Sequence, residues 1–236
     1  MQQGLCTLLL LLTLSPLTLL AGADDELLSA CGPMLEDRIT TEEFSAFLDK
    51  HQDALSPLLA DLGSFNLDEL KAEMLRVWTT EKDSGGNGAS HVLCGEFDRR
   101  AIGGLHWKLR YDLLHKAGLL VDEQKKPSSH EQVYASGYRA HPLVVKAEKK
   151  LGSFALDRDG LAQLTFGFEA AVKCCSKQRS LYTLLWDDQQ TRTVAYNYRG
   201  KYDYYTKVVC ALKGSVPYIV TLYPIGDKPD QAPACD

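Results

Sequence analysis

Apolar residues change their spacing along this chain, and that change limits the fold more than any other feature. Between residues 35 and 80, Phe44, Phe47, Leu48, Leu55, Leu58 and Leu59, and then Leu67, Leu70, Met74, Val77 and Trp78, recur three or four positions apart. That is the period of a helix face. Thr40-x-x-Glu43 has the form of a capping box, Asn66 can cap a second helix, and Ser56-Pro57 marks a break. The last part of the chain changes period. Residues 194–198, 204–212 and 218–223 are rich in aromatic and β-branched residues, with Lys213-Gly214-Ser215 between the last two runs. They predict strands ending in a hairpin. Helices first and strands later is the order of an α+β fold. Between these parts, 91–97 reads as a short strand and Gly103-Gly104 as a turn. Residues 105–116 read as an amphipathic helix with Leu105, Leu109 and Leu113 on its stripe and Gly118 as its stop, and 122–131 as a polar loop.

Charge divides along the same line. Residues 24–90 hold 15 acidic and 5 basic side chains, and residues 91–236 hold 16 acidic and 21 basic. A polyanion would be repelled by the first part and attracted by the second. Asp83-Ser-Gly-Gly-Asn-Gly-Ala-Ser90 has the composition of a flexible linker. It sets an expected boundary between an acidic N-terminal helical region, 24–84, and a second unit, 85–236.

Residues 1–23 contain no Asp, Glu, Lys or Arg and carry a Leu-rich run ending in Ala21-Gly22-Ala23, which reads as a secretory signal peptide. No later stretch approaches 18 apolar residues, so no stable membrane association is expected. The expected location is extracellular or periplasmic. Six cysteines follow the leader, Cys31, Cys94, Cys174, Cys175, Cys210 and Cys235. In an exported chain they can form up to three disulfides, with fifteen connectivities open. No C-x-x-C pair is present, and His91-x-x-Cys94 has no second pair to complete a metal site.

His91 and His106 flank the Gly-Gly turn, so a strand, a turn and a helix start would fold the imidazoles toward each other. Two His side chains around a phosphodiester can cleave RNA, one taking the 2′-OH proton and the other protonating the departing 5′-oxygen. A Lys would offset the charge that develops on the phosphorus oxygens. RNA supplies its own nucleophile, so the chemistry requires no cofactor.

The words around these residues are more specific. His91-Val-Leu-Cys-Gly-Glu-Phe97 followed by Gly103-Gly104-Leu105-His106 resembles the EndoU family of uridylate-specific endoribonucleases, which carries H-V-x-x-G-[ED] and then a Gly-led His motif at nearly this spacing. Thr221-Leu222-Tyr223-Pro224 is similar to the family's T-x-Y-P ending. The resemblance covers about residues 70–226. It implies two antiparallel sheets with flanking helices, arising from a duplicated unit, behind the N-terminal helical layer. It also implies cleavage of single-stranded RNA at uridine, leaving 2′,3′-cyclic phosphate and 5′-hydroxyl ends, with Mn²⁺ use that varies among members. Carried over by position, His106 is the base, His91 the acid, and Thr221 and Tyr223 hold the uracil. For the third catalytic residue, Thr165-Phe166-Gly-Phe168-Glu-Ala-Ala-Val172-Lys173 matches the spacing F-x-W-x-x-x-[MV]-K, with Phe168 in the Trp place, and Ser180-Leu-Tyr-Thr183 resembles a family helix. This favours Lys173, at the end of a strand. Lys149, in the form K-x-x-G-S-F, is the rival, but the run Lys146-Ala-Glu-Lys-Lys150 reads as a solvated helix end.

Other readings remain open on sequence. Glu96 could orient His91 or simply end a strand. The run containing Tyr196, Tyr198, Arg199, Lys201, Tyr202, Tyr204, Tyr205 and Lys207 could be a stacking surface for RNA or a Tyr-rich strand pair. His51, His115, His130 and His141 read as surface. A non-catalytic secreted RNA- or glycan-binding module on the same fold is the alternative function. A hydrolase with Cys94 or Cys174 as nucleophile is a third.

Overall fold

The computed structural model describes residues 22–33, 38–82, 85–98, 100–176, 191–196, 203–214, 216–227 and 234–235. Residues 1–21 of the leader, the 180–184 segment, and Tyr198, Arg199, Lys201 and Tyr202 lie outside the described residues.

Four helices open the fold: α1 (Ala23–Ala30), α2 (Thr41–Lys50), α3 (Ser56–Leu62) and α4 (Leu67–Thr79). Their ends follow from the caps. Thr40 Oγ1 accepts from Glu43 N while the Glu43 carboxylate accepts from Thr40 N, and Asn66 and Glu69 repeat the exchange at α4. Each such cap is worth about 1 kcal/mol. Pro57 sits in the first turn of α3, where its missing N–H costs nothing. The apolar stripes of α2 and α4 are buried through Phe44, Phe47, Leu48, Leu70, Met74, Val77 and Trp78.

Two short strands, β1 (Glu96–Asp98) and β2 (Ala101–Gly103), lead to α5 (Lys108–Lys116), then to β3 (Leu120–Lys126), β4 (Val133–Ala140), β5 (Glu148–Ala155) and α6 (Gly160–Ala170). The chain closes with β6 (Thr191–Tyr196), β7 (Tyr205–Lys213), β8 (Val216–Gly226) and β9 (Ala234–Cys235). One sheet runs β1-β2-β5-β4-β3 and the other β8-β7-β6-β9. The fold is therefore α+β with two sheets. They are not wholly antiparallel, because β2 pairs β5, and β6 pairs β9, in parallel.

Two large cores result. The first joins α1–α4, α6 and the inner face of the β6–β8 sheet, with Trp78, Trp107, Phe168, Ile219 and Leu222 inside it. The second packs Tyr111 and Leu114 of α5 on the other sheet, against Tyr138 and Phe154. The Gly-rich segment expected to be a linker is instead built into the first core. Asn87, Gly88, Ala89 and Ser90 are buried, Asn87 Nδ2 donates to Ile39 O, and Ile39 N donates to Ser90 Oγ. Small residues allow this close packing, and side chain–backbone bonds satisfy the polar ones.

Several local expectations change. Helix α5 starts at Lys108, which turns Leu109 and Leu113 outward and buries Arg110, Tyr111 and Leu114. Leu105 is buried ahead of the helix with φ 55°. Gly118 does stop the helix, at φ 73°. Residues 120–126 form an edge strand, whose polar side chains face solvent. Residues 160–170 are a helix capped by Asp159 Oδ1, which accepts from Ala162 N, and not the strand that the aromatic residues predict. Lys146–Lys150 is no helix end, because Lys149 lies in β5. Tyr196 and Tyr204 are core residues, so neither offers a stacking surface to RNA.

Two disulfides are present among the described residues, Cys31–Cys94 and Cys175–Cys210, and Cys174 is also disulfide-bonded. The thiol-nucleophile reading of Cys94 or Cys174 is thereby overturned. No described helix is long and apolar enough to cross a membrane.

Candidate active site

His91 sits on a π-helical turn, Ser90–Cys94, and not on a strand. The turn is set from both sides. Asn87 caps its entry, accepting from Ser90 N through Oδ1 and from His91 N through its carbonyl. At its exit Gly95 N donates to Ser90 O, five residues back. Cys94 then ties the turn to α1 through Cys31.

The Gly-Gly-Leu-His segment closes on this turn backbone to backbone. Leu105 N donates to His91 O at 2.8 Å and His106 N to Val92 O at 2.7 Å. Gly104 has φ +59°, and a Cβ there would lie 1.7 Å from His91 O. Only glycine meets both demands. Leu105 and Trp107 then enter different cores, the second and the first. His106 is thus held at the seam between them, buried and adjacent to β8.

The imidazole rings are 6.2 Å apart. His106 Nδ1 lies 3.2 Å from Ser153 O, so this nitrogen carries the proton and Nε2 is left as acceptor. Burial, reinforced by Lys149 and by His91, drives the His106 pKa well below the ordinary imidazole value. His106 is therefore neutral at neutral pH. His91 Nδ1 lies 2.6 Å from Glu96 Oε1, and Lys82 Nζ lies 2.8 Å from that same oxygen. Burial also lowers the His91 pKa. Glu96 opposes the shift, while Lys82 and Lys149 add to it. Burial works against the charge on Glu96, but the bonds from His91 and Lys82 outweigh it and hold the carboxyl at about 2.

Of the two lysines weighed on sequence, Lys149 is the one whose charge acts on both imidazoles. Lys173 lies on a second π-helical turn, Ala171–Ser176, where its ammonium pairs with Glu169 one helical turn earlier. It is absent from the charges that act on either imidazole. Lys149 acts on both. From β5 its Nζ donates to Gly104 O at 2.6 Å, inside the turn joining the two histidines, and burial pushes its pKa down to about 8. Lys149 pairs with Tyr138 at the edge of the irregularity in the β4–β5 register, which falls between Ser136 and Tyr138. The strand expected to end at Lys173 is corrected: the segment is helical, and the ammonium pairs with Glu169.

Tyr223 is next to the pair. Its ring stacks on His106 at 5.0 Å with 25° between planes, and Lys207 Nζ lies 5.7 Å from its centroid, from the opposite position on β7. Thr221, two residues earlier on the same strand, has a buried Oγ1 with no hydrogen-bond partner among the described residues. Ser153 Oγ donates to Pro224 O at 2.8 Å, which stitches β5 to β8 across the site.

One solved structure to which the chain is similar is that of XendoU. The match to that solved structure, a splicing independent snoRNA processing endoribonuclease, covers 79% of this chain and 69% of that one, at 17% identity and a TM-score of 0.48. A second match is the endoribonuclease encoded by Middle East Respiratory Syndrome Coronavirus, at 15% identity and a TM-score of 0.40, covering 71% of this chain and 40% of that one. The matched part is thus about two fifths of the viral enzyme. No family model and no curated protein matches the chain.

Sequence reasoning missed Lys82 outright. It precedes a polar loop and has no local pattern around it, yet it is buried against Glu96. Of the two readings open for Glu96, orienting His91 or ending a strand, the first has a contact to match it, at His91 Nδ1. Of the remaining histidines, His51 is not simply a surface residue: Nε2 contacts Glu26 Oε2 at 3.0 Å and the ring packs on Phe47. Among the described residues no group of three His, Cys, Asp or Glu is arranged to hold a metal ion.

Proposed function

We propose that this protein is a secreted endoribonuclease of the EndoU type that cleaves single-stranded RNA at uridylates. The observation that carries the reading is the pair of imidazoles 6.2 Å apart, each with Nδ1 engaged, so that both present Nε2. His106, neutral and buried, takes the 2′-OH proton. The 2′-oxygen attacks phosphorus, and His91, in its imidazolium form, gives its Nε2 proton to the departing 5′-oxygen and returns to the neutral Nδ1–H tautomer held by Glu96. The ammonium of Lys149 offsets the charge that builds up on the phosphorane oxygens, a term largest in the transition state. Tyr223 and Thr221, on the strand beside His106, are the groups proposed to receive the uracil ring and its polar edge. The leader and the disulfides support export.

The test is cleavage of a short RNA with a single uridine, with product ends analysed, run in EDTA and with added Mn²⁺. The expected products end in 2′,3′-cyclic phosphate and 5′-hydroxyl. Intact RNA under both conditions, or 3′-hydroxyl ends, would sink the reading. The Mn²⁺ arm decides the metal dependence. Tight binding of intact RNA would favour the non-catalytic module instead.

A further inference from the structure

We propose that Lys82 is a positioning residue which lets Glu96 fix the tautomer of His91 without locking His91 in its protonated form. The inference rests on the ribonuclease reading for its purpose, but its geometry stands by itself. The Glu96 carboxylate lies in a slot bounded by two glycines. A Cβ on Gly86 would lie 3.0 Å from Oε2, and a Cβ on Gly103 would lie 3.1 Å from Cγ. The slot presents Oε1 to two donors at once, His91 Nδ1 at 2.6 Å and Lys82 Nζ at 2.8 Å.

At 2.6 Å a proton must lie between the imidazole nitrogen and the carboxylate, since two lone pairs would repel. Nδ1 therefore donates, and Nε2 is the working atom. Lys82 Nζ, 3.2 Å from Nδ1, then faces a donor rather than an acceptor. Its hydrogen bond goes to Glu96, and its effect on the ring is repulsion of positive charge.

A carboxylate in contact with an imidazole, if unopposed, holds the imidazolium and weakens it as a proton donor. The Lys82 ammonium, itself buried, divides the carboxylate charge between two cations. The other charged or titratable groups acting on His91 are Lys149 and, from the facing segment, His106. Both remain in place when Lys82 is replaced. The division of labour is then specific: Glu96 sets orientation, and Lys82 sets how readily the proton leaves.

The test is a histidine-resolved NMR titration of the full chain and of Lys82→Met and Lys82→Arg, alongside pH profiles of kcat/KM on a uridine-containing oligonucleotide. In Lys82→Met the His91 midpoint should rise by about one pH unit, and the alkaline limb of the profile should rise with it. His106 should titrate as in the parent. Lys82→Arg keeps the charge and should restore the parental midpoint. The proposal is overturned if His91 does not move in Lys82→Met, if it moves equally in Lys82→Arg, or if His106 moves with it, as general loosening would cause. Should Lys82→Met not fold, Lys82→Arg decides alone, because a displaced His91 midpoint there contradicts the charge argument. The titration needs no RNA. A shifted midpoint in a protein that cleaves nothing would retain the role of Lys82 and remove the ribonuclease reading. An active parent with an unmoved midpoint would do the reverse.

Discussion

The protein uses the π-helical turn twice, at Ser90–Cys94 and at Ala171–Ser176. The first turn carries one disulfide-bonded cysteine and the second carries two, and each carries a side chain whose sequence context suggests catalysis. The surroundings differ. His91 meets Glu96, Lys82, Lys149 and His106, contributed by four separate stretches of chain. Lys173 meets Glu169, four residues back on its own helix. A side chain whose contacts come from several stretches of chain is placed where elements converge. The contrast teaches that a motif matched by spacing must also be asked where its side chain finds its partner.

The strongest way to break this comparison is to remove the groups in turn. His91→Ala and His106→Ala should each reduce RNA cleavage on the order of 10²–10⁴-fold, with circular dichroism unchanged. Parental activity in either variant would end the proposed mechanism. Next in size is the lysine contrast. Lys149→Ala should lose on the order of 10²-fold in kcat with little change in RNA binding, while Lys173→Ala stays within about two-fold, as for a charge away from the reaction. A dead Lys173→Ala beside an active Lys149→Ala would reverse the assignment.

The disulfides sharpen the comparison further. Replacing Cys31 and Cys94 together by Ala, or Cys175 and Cys210 together, should destabilise the fold by about 2–5 kcal/mol in either case. At a temperature where both variants remain folded, only the first should lower kcat, because only Cys94 anchors the turn that carries His91. Equal loss in both would mean that the turn does not need its tether. The smallest effect concerns stability. Lys149 has its pKa lowered to about 8 from 10.5. The unfolded chain therefore binds more protons between those values, and stability rises with pH across that window. Below about pH 8 the buried charge destabilises the fold in full. Lys149→Met should therefore gain roughly 1–3 kcal/mol at pH 7 and lose that advantage above pH 10, as measured by urea unfolding.

Much of the fold is legible where local rules and burial agree. The caps at Thr40 and Asn66 and the stripes of α2 and α4 can be read directly, as can the β7–β8 hairpin around Gly214. The elements that evade reading are those whose environment is set from afar. Helix α6 is buried on nearly every side, so it has no polar face to reveal its period. Strand β5 begins with charged residues that look solvated, yet Lys149 is drawn inward to Gly104 O. A π-turn differs from an α-turn by one residue of hydrogen-bond offset, and no side chain encodes that offset. The two histidines are legible because Gly104 must lack a Cβ to approach His91 O, which forces a local word onto the sequence. Lys82 belongs to no such word and becomes visible only in three dimensions.

The Cys31–Cys94 bond has a consequence for how this chain can be cut or exchanged. Because it spans the acidic helices and ends within the histidine-bearing turn, any single nick between those cysteines yields two pieces that stay covalently joined until reduced. The Gly-rich segment at 85–90 lies inside that loop and contributes buried residues to the same core as α1–α4. The N-terminal helices therefore do not form a detachable module in front of the histidine pair. Transplanting residues 85–236 alone would remove Lys82, the partner of Cys94, and the wall against which the His91 turn is packed.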